Sequence, residues 1–79
     1  MENNYLKQLK QLLADNFGIE PHEVTEDAFF EDDLNLGEYE LLELMSELEE
    51  MYQVEFEKAD KDELDTVGSL ISLLRDKID

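Results

Sequence analysis

The sequence predicts a small all-α domain, a four-helix bundle of three main helices and one short one with a long first loop. Three observations carry that expectation. Apolar residues recur at helical spacing in three separate stretches. Gly18, Gly37 and Thr66 stand at the edges of those stretches, where helices stop and start. The chain has 79 residues, enough for one domain around one modest core, here taken as 1–79.

The first helix is expected from about Asn3 to Phe17. Tyr5, Leu6, Leu9, Leu12, Leu13 and Phe17 form its apolar stripe, with Lys7, Lys10 and Gln11 between them. Gly18 follows as a stop signal. Residues 18–36 form the longest connection. Pro21, the one proline, biases Glu20 away from helix. Ile19, Val24, Ala28, Phe29, Phe30 and Leu34 are scattered there at no single period, so this loop is expected to pin itself onto a core.

The second helix is expected from about Glu38 to Tyr52. Leu41, Leu44, Met45, Leu48 and Tyr52 share one stripe, and Tyr39, Glu43, Ser46, Glu47 and Glu50 fall opposite. Gly37 is an acceptable N-cap, and Glu38 and Glu40 lie in the first turn, where the helix dipole favours negative charge. Val54 and Phe56 read as a short extended link, and Lys58 to Leu64 as one or two helical turns. Thr66 caps a last helix from about Val67 to Lys77, with Leu70, Ile71, Leu74 and Ile78 inward and Arg75 and Lys77 near its C-terminal end. Gly68 early in that helix costs about 1 kcal/mol against alanine, which implies that it permits close packing. Met45 and Met51 read as core filler.

Composition narrows the function. There are 23 acidic residues against 6 basic ones, for a net charge of −17. That field repels nucleic acid and anionic membranes and favours partners with basic patches. The absence of cysteine removes disulfides, thiolate catalysis and thiolate metal sites. No run approaches the roughly 20 apolar residues of a membrane span, and the polar N-terminus does not read as a signal peptide, so a cytoplasmic monomer is expected.

The run Phe30-Glu31-Asp32-Asp33-Leu34-Asn35-Leu36-Gly37-Glu38-Tyr39, continuing to Leu48-Glu49-Glu50 and Tyr52, resembles the centre of an acyl carrier protein. That family typically shows a phenylalanine, an acidic pair, a leucine, two further residues and then Asp-Ser-Leu or Asp-Ser-Phe, followed by an acidic amphipathic helix. Pro21, Val24 and the run Thr66-Val67-Gly68-Ser69-Leu70 also fit, so the resemblance covers nearly the whole chain. It implies an acyl-carrier-like bundle that bears an acyl or peptidyl group on a phosphopantetheine arm. The arm hangs from a serine hydroxyl at a helix start, and here that position reads as Glu38, flanked by Gly37 and Tyr39. A carboxylate cannot form the serine phosphodiester. Ser46, Ser69 and Ser72 are the remaining serines, each placed within a helix rather than at the matching start.

The expectation is therefore a carrier scaffold without its prosthetic group: a protein-interaction module, not an enzyme, with no cofactor. The resemblance implies docking through the second helix onto basic patches of biosynthetic enzymes or of a regulatory protein. Glu43, Glu47 and Glu50, with Glu40 beside them, supply charge, and Tyr39, Leu42 and Ser46 complete the partner-binding set. A plain solvated helix face is the alternative, but like charges at i,i+4, such as Glu43 and Glu47, repel without gain. The alternative function is an acyl or peptidyl carrier of fatty-acid, polyketide or nonribosomal-peptide biosynthesis with an altered or alternative attachment site carrying phosphopantetheine. A third reading is an ion-buffering acidic bundle.

Asp32 to Glu43 has the length of a calcium loop, with Gly37 at its sixth position. Its third and fifth positions are Leu34 and Leu36, which offer no oxygen, so no specific metal site is expected. His22 is the lone histidine and has neither cysteine nor nucleophile to serve, so it reads as an ordinary loop residue.

Overall fold

The computed structural model describes residues 4–78. Four α-helices follow in order: α1 (Tyr5–Phe17), α2 (Glu38–Tyr52), α3 (Lys58–Asp62) and α4 (Val67–Ile78). A single 3-10 turn, Pro21–Glu23, interrupts the first loop, with Glu20 extended before the proline. The all-α bundle expected from the sequence is what forms. The expected start of the first helix at Asn3 lies outside the described residues. Asn4 is the cap, its side chain accepting the Lys7 N–H at 3.0 Å.

The sequence stripes become the core. Tyr5, Leu9, Leu12 and Leu13 of α1, Leu44, Met45 and Leu48 of α2, and Val67, Leu70, Ile71 and Leu74 of α4 are all buried. The long loop adds Ile19, Val24, Ala28, Phe30, Leu34 and Leu36. Among the described residues no charged side chain is buried. Tyr5 meets Tyr52 edge to face, ring centroids 5.9 Å apart, so the start of α1 lies beside the end of α2.

Boundaries follow local chemistry. α1 ends at Gly18 in the left-handed region (φ 68), whose N–H reaches the Ala14 carbonyl at 3.2 Å. α2 ends on Gln53, also left-handed at φ 56, a stop that its residue type did not signal. α3 is shorter than expected, closing at Asp62 rather than Leu64, and buries no side chain. α4 begins at Val67 as expected, with Thr66 Oγ1 accepting the Ser69 N–H at 3.1 Å, and runs to Ile78.

Two expectations about apolar residues are corrected. Met51 is 50% exposed, so it is not core filler. It stands one turn beyond Glu47, on the flank of the outer face, which a strict i,i+4 reading places outside the stripe. Phe29 is 45% exposed although its neighbours Ala28 and Phe30 are buried. The loop is pinned as expected, but by backbone as well as by side chains. Phe30 N–H donates to Asp65 O at 2.9 Å, Val67 N–H to Ala28 O at 3.0 Å and Gly68 N–H to Glu26 O at 2.9 Å. The loop thereby caps the start of α4, with Phe29 and Thr66 paired as an isolated antiparallel bridge.

Candidate functional site

The site is the approach to α2, its first turn and its outer face. The approach is a tight hydrogen-bonded turn. Phe29 O accepts the N–H groups of Asp33 and Leu34 at 3.0 and 3.1 Å, and Asp33 Oδ2 accepts the Phe29 N–H at 2.8 Å. Leu36 N–H donates to Phe30 O at 2.7 Å. Asn35 takes φ 56 at the bend, between the buried Leu34 and Leu36. Those two leucines face the core, which gives a calcium loop in the Asp32–Glu43 register apolar anchors at two ligand positions.

Gly37 is extended and caps α2. Its N–H donates to Glu40 Oε1 at 2.8 Å, and its carbonyl accepts the Leu41 N–H at 3.0 Å. Glycine has no side chain to return the bond, so only the Glu40 half of a capping box forms. Glu40, expected on the docking face, is half-buried and committed to this cap. Glu38 is the first residue of the helix and is exposed. Its carboxylate therefore stands in solvent at the positive end of the helix dipole.

The outer face gathers the other expected residues. Tyr39 is 75% exposed and Leu42 44%, one turn apart. Glu43, Ser46, Glu47 and Glu50 are exposed beside them. Glu49 turns away: it is half-buried, and its Oε2 accepts the Phe56 N–H at 2.8 Å, fixing the link that leaves α2. Phe29 and Met51 are exposed apolar groups that the sequence reading did not assign to a surface.

The three serines differ in availability. Ser69, in the first turn of α4, is half-buried with a fully engaged hydroxyl. It donates to Thr66 O at 2.6 Å and accepts the N–H groups of Thr66 and Asp65 at 3.1 and 3.3 Å. Ser46 and Ser72 are exposed but lie inside helices. His22 is exposed in the 3-10 turn, 3.3 Å from Glu20. Among the described residues no three His, Asp or Glu side chains are placed to hold a metal ion, and no helix is long and apolar enough to cross a membrane.

In comparison with known families, a family model described as "Phosphopantetheine attachment site" aligns with residues 7–74. The matched span takes in most of α1 through most of α4, the whole of the site included.

Proposed function

The chain belongs to the phosphopantetheine-attachment family, and from that premise we propose that it is an acyl-carrier-like protein working as a cofactor-free interaction module. The observation that supports the reading is an exposed Glu38 at the start of α2, the position that the sequence resemblance equates with the attachment serine, beside an exposed face of Tyr39, Leu42, Glu43, Ser46, Glu47 and Glu50. The serine-borne arm needs an alcohol oxygen to attack the β-phosphorus of coenzyme A. A carboxylate there would give a mixed anhydride, which water cleaves. The module is non-catalytic. It docks on basic patches of enzymes that handle carriers, or of a regulatory protein, as a competitor, scaffold or subunit. With a net charge of −17 it avoids nucleic acid and anionic membranes, and it works as a monomer in the cytoplasm.

Two measurements test this. Incubation with coenzyme A and a broad phosphopantetheinyl transferase, read by intact mass, is expected to leave the protein unchanged; a pantetheinyl adduct overturns the cofactor-free reading. The alternative is a carrier of fatty-acid, polyketide or nonribosomal-peptide type with an altered or alternative attachment site, since the family normally carries the arm. The second measurement is affinity for a panel of carrier-handling enzymes. Glu43→Lys with Glu47→Lys is expected to weaken binding about tenfold at low salt and less at physiological salt. Unchanged affinity counts against docking through α2.

A further inference from the structure

A half-enclosed groove of about 270 Å³ lies beside the start of α2. Phe30, Leu41 and Leu64 are apolar residues of its lining. Phe29 and the acidic residues Glu31, Asp32 and Asp65 complete the lining. No lysine, arginine or histidine lines it. Among the described residues the close contacts of basic with acidic side chains are His22 with Glu20 and Lys77 with Asp60, neither of which involves Glu31, Asp32 or Asp65.

Phe29 is the informative lining residue. Its exposure is imposed rather than incidental, because its backbone is held from both sides. Its N–H donates to Asp33 Oδ2, its carbonyl accepts two N–H groups, and the adjoining Phe30 N–H is fixed to Asp65 O. The side chain cannot turn inward without breaking that set. A 45% exposed aromatic side chain thus lines the same groove as three apolar and three acidic residues. Small-molecule sites run to roughly 300–1,000 Å³, so this groove suits one long side chain better than a cofactor.

We propose that this groove is the seat for a single arginine side chain of the docking partner. The aliphatic stem lies on Leu41 and Leu64, and the guanidinium stacks on Phe29 and pairs with Asp32, Glu31 or Asp65. Arginine fits better than lysine for two physical reasons. Its planar, weakly hydrated head stacks on an aromatic ring, and its fork of N–H groups meets a carboxylate with two bonds. The inference rests on the docking function, and it names the group that the partner inserts. The docking function can hold without it, since a basic patch can engage Glu43 and Glu47 and leave the groove empty.

Amide-resolved NMR titration at low, matched ionic strength tests it with three probes: the N-acetyl amides of arginine, lysine and citrulline. Arginine is expected to move the backbone amides of Phe30, Leu41 and Leu64 more than lysine does, and citrulline is expected to leave them in place. Phe29→Leu keeps the apolar wall, removes the π face and leaves the backbone bonds intact. It is expected to weaken the arginine response about threefold, the order of an exposed cation–π contact, with little effect on lysine. Asp32→Asn with Asp65→Asn should weaken both probes. Equal responses to arginine and lysine, responses spread over the outer face of α2 in place of the groove, or no response at all would each overturn the proposal. Partner affinity that falls in Glu43→Lys with Glu47→Lys but not in Phe29→Leu would keep the docking face and reject the arginine seat.

Discussion

Gly68 is where the first loop and α4 come closest. A Cβ built there would stand 3.0 Å from Glu26 O, a backbone atom that is itself fixed as acceptor of the Gly68 N–H. Two effects oppose each other in Gly68→Ala. Alanine favours the helix by about 1 kcal/mol, while crowding a packed contact costs about 1–3 kcal/mol. The neighbour is a hydrogen-bonded carbonyl with little freedom to retreat, so the crowding wins. Gly68→Ala is expected to lower unfolding free energy by about 1 kcal/mol in urea; a gain in stability would mean that the loop yields. The sequence already pointed to close packing at this glycine, because nothing else offsets its cost so early in a helix. It could not name Glu26, which is 42 residues away in the chain and reaches Gly68 only through tertiary hydrogen bonds. Phe29 was hidden for the same reason: its outward direction is set by Asp33, Asp65 and Thr66 and not by any period.

At the scale of elements, legibility tracked amphipathicity. α1, α2 and α4 each bury a stripe, and their limits were readable to within a residue or two. α3 buries no side chain, so it leaves no stripe to read, and its length was the least well anticipated. Its hold on the body is polar instead. Asp60 Oδ2 accepts the Glu57 N–H at 2.9 Å and lies 3.2 Å from Lys77 Nζ, which ties the short helix to the end of α4. The Glu57 N–H holds the Asp60 carboxyl below its usual range, and Lys77 adds to this against the opposing effect of burial. A carboxyl that loses its proton more readily folded than unfolded stabilises the fold above its ordinary pKa. That contribution disappears as pH falls through the lowered value. The stability gap between the native chain and Asp60→Asn is therefore expected to be constant near neutrality and to close below about pH 4. Thermal unfolding followed across that range measures it; a gap unchanged into strong acid would remove Asp60 as a fastening of α3.

The molecule as a whole holds a net charge of −17 within 29 × 27 × 20 Å. The radius of gyration, 11.5 Å, is close to the roughly 12 Å of a compact chain of this length, so the core contains the repulsion without swelling. That repulsion is long-ranged. No lysine or arginine falls between Lys10 and Lys58, a stretch that includes the first loop and all of α2. Salt acts on this field in two opposing ways, screening repulsion among the acids and weakening the ion pairs. Among the described residues, Lys77 with Asp60 is a close ion pair, and the contact of His22 with Glu20 is largely exposed. Exposed pairs are worth about 0–1 kcal/mol, so there is little attraction for salt to remove. At about 0.01 M ionic strength the Debye length of ~30 Å spans the protein, and at about 1 M it falls to ~3 Å. Raising sodium chloride across that range is therefore expected to raise Tm, with each 1 kcal/mol gained appearing as roughly 4–8 °C for a domain of this size. Magnesium chloride at equal ionic strength separates general screening from cation binding. Equal shifts mean that the acids act as a diffuse field, as the lack of a clustered ligand set among the described residues implies. A much larger magnesium shift would instead favour the ion-buffering reading of the acidic surface, and a Tm that falls with salt would show that attraction, not repulsion, governs this charge distribution.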